Sequence, residues 1–375
     1  MRPMTTLSRR SFLAAGCVGA TAAARPARAA ALAAHRDLVW TDVVDWPIEG
    51  RAFADRKAPY DRLPARAEGV VRKEVWDLSR HSAGMVVRFQ TDSQELHVRY
   101  RLTSDRLAMA HMPATGVSGC DLYGHDGTRW RWLEVTRPGK QDVTAELWKT
   151  ADKPAAPQPY LLYLPLYNGV EKLELGVAAG ATITPLPARP AAHKPIVCYG
   201  TSILHGACAS RPGMAWPALV GRALDREVVN LGFSGNGRME REVGQFVAEL
   251  DASVFVIDCL PNMNAAQVAE RTGPLVRQLR EKHAATPILL VEDRTFGNAW
   301  ANGKRRSEHE ARRSALRDAV TALGKDGVAG LHLLGGADLL GDDDEGTTDG
   351  SHPNDLGMFR QAEHVVAALR PLLGG

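Results

Sequence analysis

Hydrophobic and polar positions divide this chain into two stretches with different periods. Across residues 38–186, apolar residues alternate with polar ones in short runs: Gly84-Met85-Val86-Val87-Arg88-Phe89, Glu95-Leu96-His97-Val98-Arg99-Tyr100, Cys120-Asp121-Leu122-Tyr123, Trp130-Arg131-Trp132-Leu133-Glu134-Val135 and Lys172-Leu173-Glu174-Leu175-Gly176-Val177. A period of two turns one face of each run toward a core and the other toward water. The number of such antiparallel strands predicts an all-β sandwich of jelly-roll type over residues 38–187. Pro185, Pro187, Pro190 and Pro195, with alanines between them, then predict a short stiff linker.

Beyond the linker the pattern changes. Continuous apolar runs at 196–199, 228–231, 254–258, 288–292 and 331–334 alternate with helical periodicity at 215–224, 265–282, 307–323 and 356–373. Strands without a polar face belong to a parallel sheet covered on both sides, and short connections make the crossovers right-handed. Residues 195–375 are therefore predicted to form a flavodoxin-like, three-layer α/β/α domain, which gathers ligands at the carboxyl ends of its strands.

The candidate chemistry lies at those ends. The first run leads into Gly200-Thr201-Ser202-Ile203, a turn that would expose the Ser202 hydroxyl, and Asp349-Gly350-Ser351-His352-Pro353 supplies an imidazole and a carboxylate from one late loop. A serine hydroxyl is a weak nucleophile unless an imidazole takes its proton and a carboxylate orients that imidazole. Between the two blocks, Asn230-Leu231-Gly232-Phe233-Ser234-Gly235-Asn236-Gly237 offers a glycine-rich loop of backbone N–H groups. Asp258-Cys259-Leu260-Pro261-Asn262-Met263 ends a strand near an amide. Such donors suit an oxyanion hole.

The order of these four blocks resembles the SGNH, or GDSL-type, hydrolase superfamily. Gly119-Cys120-Asp121-Leu122-Tyr123, with Cys208-Ala209-Ser210-Arg211-Pro212-Gly213-Met214-Ala215 and Asp355-Leu356-Gly357-Met358, narrows the resemblance to its two-domain esterases with a Gly-x-Asp-Leu-Tyr N-terminal module. The resemblance implies Ser202 as nucleophile, His352 as base and Asp349 as its orienting partner. It implies an oxyanion hole made of the Ser202 and Gly235 N–H groups and the Asn262 side chain, with no metal or organic cofactor. Two departures stand out: Gly-Thr-Ser-Ile replaces Gly-Asp-Ser-Leu, and Leu-Pro-Asn-Met replaces Gly-x-Asn-Asp.

Residues 1–29 carry a separate signal. Arg9-Arg10-Ser11-Phe12-Leu13, an alanine-rich stretch and Ala27-Arg28-Ala29 resemble a twin-arginine export signal with its cleavage site, implying the twin-arginine machinery as a partner and a periplasmic or secreted product. Lipoprotein anchoring at Cys17 is disfavoured by the short apolar region after the arginines. The full chain has 46 Lys+Arg against 43 Asp+Glu, but five arginines and no acid fall within residues 1–29, so the processed chain has a formal charge of −2. That balance excludes a nucleic-acid reading, and no segment is long and apolar enough to span a membrane. Cys120, Cys198, Cys208 and Cys259 lack Cys-x-x-Cys spacing, which speaks against a zinc or a redox-motif reading.

Other features have plainer readings. The acidic run 342–345 is a solvated loop, Lys304-Arg305-Arg306 opens a helix, Asp293-Arg294 is a loop ion pair, and the tryptophans from Trp40 to Trp148 are core and strand residues. His205 is expected to line the pocket, whereas His111 and His193 are ordinary loop or surface residues.

Together the readings give a serine esterase acting on short acyl, chiefly acetyl, esters of carbohydrates. A short-chain lipid or thioester hydrolase, or a carbohydrate-binding protein with a vestigial site, remain the alternatives. If Arg9 and Arg10 are read by the twin-arginine machinery, replacing both with lysine is expected to leave folded precursor in the cytoplasm. Fractionation and blotting check this; undiminished export would assign another route.

Overall fold

The computed structural model describes residues 37–152 and 154–374; the twin-arginine expectation for residues 1–29 lies outside them. Alternation builds the first half. β1 (Leu38–Asp42), β2 (Ile48–Glu49), β3 (Val86–Thr91), β4 (Glu95–Leu102), β5 (Asp121–His125), β6 (Trp130–Val135), β7 (Asp142–Lys149), β8 (Gln158–Tyr163), β9 (Val170–Ala178) and β10 (Ile183–Pro185) form two antiparallel sheets. One is ordered β1-β9-β4-β7 and the other β10-β3-β8-β5-β6, with β2 beside β3. Val87, Phe89, Leu122 and Leu162 from one sheet meet Leu96, Val98, Leu173 and Leu175 from the other in a single buried cluster. The sandwich follows from that two-residue period.

Several strands gave no clear sequence signal. β7 carries the helix formers Ala145-Glu146-Leu147, and β8 opens on Gln158-Pro159. Both pair fully, with β4 and with β3 and β5 respectively, so tertiary partners decide their conformation. Two short helices, α1 (Lys73–Ser79) and α2 (Ala114–Val117), also interrupt this half.

The second half places β11 (Ile196–Gly200), β12 (Val228–Gly232), β13 (Val254–Asp258), β14 (Ile288–Val291) and β15 (Leu331–Leu334) in one parallel sheet, ordered β12-β11-β13-β14-β15. Its helices are α3 (Ser202–His205), α4 (Trp216–Leu224), α5 (Arg241–Val247), α6 (Ala265–Lys282), α7 (Gly303–Lys325) and α8 (Asp355–Leu369). Successive strand residues enter opposite cores. Ile196, Cys198, Val254 and Val256 pack with Trp216 and Val220 of α4 and Met358 and Val365 of α8. Val197, Tyr199, Phe255 and Ile257 pack with Phe246, Leu275, Leu279 and Leu316 of α5, α6 and α7. Two buried faces explain why these strands read as unbroken apolar runs. α5 was not legible because Gly244 sits in a seven-residue helix, where it lowers intrinsic propensity.

The halves interlock. Phe53, Leu63, Val71, Val75 and Trp76, from the chain between β2 and β3, belong to the α5–α7 core of the parallel sheet. Arg62 travels with them. Fully buried, it bonds through Nη1 to the carbonyls of Asn230 (3.1 Å) and Gly232 (2.7 Å), through Nη2 to Leu78 O (2.6 Å), and through Nε to His81 O (2.9 Å). Burial pushes the guanidinium pKa down, but arginine starts high enough to remain charged. No carboxylate lies within ion-pair distance of Arg62 among the described residues; four carbonyl dipoles solvate it instead. Arg62→Met would strand those carbonyls, so it is expected to cost about 3 kcal/mol of stability. Urea unfolding is the check, and a loss under about 1 kcal/mol would refute this role for the cation.

Candidate active site

β11 delivers the chain into α3 through Thr201, whose extended backbone makes it the N-cap and whose hydroxyl accepts from Ile203 N–H (3.3 Å). Ser202 is thereby the first helical residue, with a backbone N–H that a helix leaves without an internal acceptor. The turn fits because two glycines lack side chains. A Cβ on Gly232 would sit 2.3 Å from His205 N, and one on Gly237 would sit 2.0 Å from Gly200 O. The ends of β11 and β12 therefore close on each other only without those atoms.

A second loop, following β15, brings the imidazole. Its neck is closed by Thr348 N–H donating to His352 O (2.9 Å). Inside it, Asp349 Oδ1 accepts from the backbone N–H groups of Ser351 (3.0 Å) and His352 (2.8 Å), and Asp349 Oδ2 accepts from His352 Nδ1–H (2.7 Å). Partial burial pushes the Asp349 pKa up. The bonds from the His352 backbone and ring and from Ser351 outweigh it, leaving the value lowered to about 2. With Nδ1–H committed to Asp349, Nε2 is left to accept from the Ser202 hydroxyl, 2.9 Å away. An imidazole nitrogen free to take a proton thus touches the serine hydroxyl, and a carboxylate stands behind the ring, where it could stabilise an imidazolium.

The remaining predicted residues follow β12 and β13, the two strands that flank β11. Gly235 adopts φ +70°, a left-handed conformation, in the turn after β12. Neither the Ser202 nor the Gly235 N–H has a protein acceptor among the described residues. Asn262 closes the 3₁₀ turn after β13, and its Oδ1 accepts from Gly237 N–H (3.2 Å). That bond fixes the amide and leaves Nδ2 as a donor. Three donors set on rigid strand ends are what a developing oxyanion requires.

Several residues behave differently from their sequence readings. His205 does not line a pocket: it is fully buried, stacked on Tyr167 at 4.1 Å and 3.4 Å from Arg62 Nη2. Burial first, then Arg62 and His81, push its pKa well below the usual histidine value, so it stays neutral. Tyr167 in turn donates to Ser202 O (3.3 Å), so this stack props the Ser202 turn from beneath. His111, read as an ordinary surface residue, lies with its ring 5.6 Å from that of His352. Asp293 and Arg294 do not pair with each other. Arg294 makes a bidentate, fully buried pair with Asp258 (2.7 and 2.6 Å), whereas Asp293 meets His309 and Arg312 (both 2.6 Å), because neighbours near a strand end face opposite sides.

The Gly-x-Asp-Leu-Tyr segment reaches the site indirectly. Asp121, with no exposed surface, accepts through Oδ2 from Gly213 N–H (2.7 Å) and Arg211 Nη1 (2.9 Å), and through Oδ1 from Trp132 Nε1 (2.9 Å). Arg211 also donates to Tyr123 Oη (2.5 Å). The adjacent Ser210 donates from its backbone (2.8 Å) and hydroxyl (2.5 Å) to Asp355, three residues past His352. Spacing along the chain carries no trace of this relay, since its members come from β5, the loop after α3 and α8.

Residues 193–370 match the GDSL-like lipase/acylhydrolase family, and residues 38–183 match the N-terminus of SGNH-hydrolase-type esterases, GxDLY. No curated protein matches by sequence. Among solved structures, a candidate GDSL-like lipase from Bacteroides ovatus is 32% identical, with TM-score 0.84, 90% of this chain covered and 98% of that one. The salicylyl-acyltransferase SsfX3 of a tetracycline biosynthetic pathway is 21% identical with TM-score 0.68, again covering 90% and 98%. A family two carbohydrate esterase from Cellvibrio japonicus shares the fold at 13% identity and TM-score 0.58, with the same coverage of 90% and 98%.

The low Asp349 pKa carries a signed consequence. A carboxyl lowered in the folded state, here from 3.8 to about 2, contributes stability that is present above its unfolded pKa and lost as pH falls through about 2. Asp349→Asn removes the contribution altogether. The difference in melting temperature between wild type and Asp349→Asn is thus expected to be largest above about pH 5 and to shrink toward about pH 2. A pH-independent difference would contradict it.

Proposed function

The chain belongs to the GDSL-like lipase/acylhydrolase family and is a carboxylic ester hydrolase, and we propose that it removes short acyl groups, chiefly acetyl, from carbohydrates through Ser202, His352 and Asp349. The observation that carries the mechanism is the continuous hydrogen-bond path from Ser202 Oγ through His352 to Asp349, 2.9 and 2.7 Å long. Ser202 Oγ attacks the ester carbonyl as His352 Nε2 takes its proton, and Asp349 holds the resulting imidazolium. The oxyanion is received by the N–H groups of Ser202 and Gly235 and by Asn262 Nδ2. His352 then protonates the departing sugar hydroxyl. Water, deprotonated by the same imidazole, releases the acid from Ser202. The chemistry asks nothing of a metal or organic cofactor, because imidazole and fixed dipoles carry out its proton transfers and charge stabilisation.

Two features favour a sugar over a lipid. The fold is shared with a carbohydrate esterase, and Trp300 is 72% exposed on a 3₁₀ turn whose loop is tied to the base loop by Gly297 N–H donating to Gly350 O (3.1 Å). An exposed indole on a loop joined to the one that carries His352 offers a flat apolar face to a pyranose ring. No helix among the described residues is long and apolar enough to cross a membrane. The twin-arginine segment would carry the enzyme to the periplasm or beyond, where such polymers occur.

Release of acetate from acetylated xylan and from a small aryl acetate tests the reading. Ser202→Ala is expected to reduce kcat on both by about 10³-fold or more in a folded protein. Trp300→Ala is expected to raise KM for the polymer by about tenfold with the aryl acetate unaffected, since only the large substrate reaches remote contacts. Near-normal turnover by Ser202→Ala would remove the mechanism. Preference for a lipid ester over every acetylated glycan would replace the substrate.

A further inference from the structure

We propose that His111, Cys208, Asp349 and His352 form a capture site for a soft divalent cation of the Zn²⁺ type, and that the bound ion switches ester hydrolysis off. One ligand atom from each of the four residues lies within 4.8 Å of those from the other three. They come from three separate segments: the connection between β4 and β5, the loop after α3, and the loop before α8. Local spacing alone does not assemble them.

The donor set is diagnostic. Two imidazoles, a thiol and a carboxylate suit Zn²⁺, Cd²⁺ or Cu²⁺ and are wrong for Mg²⁺ or Ca²⁺, which take oxygen. Zinc bonds of about 2.0–2.3 Å put tetrahedral donors roughly 3.3–3.8 Å apart, so the four groups need to close by only about 1 Å. A second cluster, Glu95, His97 and Glu146, makes a useful contrast. It already holds a cation, Lys149 Nζ, 3.4 Å from Glu95. No lysine or arginine is salt-bridged to Asp349 among the described residues; its partner is His352.

The scaffold around the thiol is rigid. Cys208 has φ +67°, a strained value for a residue with a Cβ. Its loop is held by Thr115 Oγ1 donating to Ser210 O (2.6 Å) and by the Ser210 bonds to Asp355. The cysteine is therefore presented beside the base in a conformation that the chain adopts only under restraint. On binding, the thiol proton leaves to water and the thiolate joins the ion.

Inhibition follows from which atoms are claimed, and it rests on the catalytic reading above. If the ion takes His352 Nε2, the Ser202 proton has no acceptor. If it takes Nδ1, the proton there moves to Nε2, the bond to Asp349 is broken and Nε2 no longer accepts from Ser202. Metal and ester compete for one imidazole, so occupancy and turnover exclude each other.

The test uses the full chain and two readouts. Cadmium titration is expected to give a thiolate-to-metal charge-transfer band in wild type that zinc displaces and that Cys208→Ser abolishes. Cys120, Cys198 and Cys259 are fully buried, and the fifth cysteine, Cys17, is replaced by serine in every protein compared, so that the band reports Cys208. Aryl acetate hydrolysis is expected to be inhibited by zinc and restored by EDTA. Cys208→Ser and His111→Gln are each expected to raise the inhibitory zinc concentration about tenfold or more, with metal-free rates unchanged. Absence of the band in wild type, or its persistence in Cys208→Ser, overturns the site. Equal zinc sensitivity in all three proteins, or a wild-type band with undiminished hydrolysis, overturns the switch. Should the protein hydrolyse no ester, the cadmium titration alone still decides the binding site, so the two readings fail separately.

Discussion

The buried contact between Asp121 and Arg211 is the constraint on which the rest of the arrangement turns. Desolvation pushes the Asp121 pKa up, and the arginine, the Gly213 N–H and the Trp132 indole N–H hold against it. A carboxylate with no exposed surface is tolerable only when its oxygens are filled in this way. Those donors belong to both halves of the chain. Docking the sandwich and shaping the loop after α3 are consequently one event, and Ser210 transmits that shape to Asp355 at the foot of the His352 loop.

Electrostatics sorts three histidines that lie near the Ser202 turn. His81 and His205 share a dry compartment with the Arg62 guanidinium; burial and that cation lower His81 to about 3 and push His205 well below the usual histidine value. Both are held neutral and serve as packing. His352 sits at the edge with Asp349, the only one of the three with a carboxylate at hydrogen-bond distance. Residue type is the same in each case, and surroundings assign the role.

Fold class was legible because both periodicities are strong: two for the sandwich, and continuous apolar runs for a sheet covered on both faces. The meeting of Ser202, Asp349 and His352 could be anticipated because their turns punctuate those runs at predictable ends. What escaped is contact between distant segments. Nothing near Arg62 marks it as the cation that solvates strand carbonyls, and nothing near His111 places it against His352. A buried His205 and a pocket-lining one look identical along the chain, since only the stacking of Tyr167 distinguishes them. β7 and α5 were missed for a related reason: Ala145-Glu146-Leu147 and Gly244 have intrinsic preferences that neighbours override.

The separation in sequence between interlocking groups bears on how the polypeptide acquires its shape during synthesis. Asp121 and Arg211 are 90 residues apart, and Arg62 and the Gly232 carbonyl 170. As the chain emerges from the ribosome the sandwich strands are complete long before their polar partners exist. At typical elongation rates of about 5–20 residues per second the sandwich must keep its future interface hydrated for seconds. The long dwell favours polar anchors at that seam: an unpartnered carboxylate or guanidinium is at ease in water, whereas an equally large apolar face would invite premature association. Charge burial thus keeps part of the junction at ease in water, while Phe53, Leu63, Val71, Val75 and Trp76 wait for the core that the later half supplies.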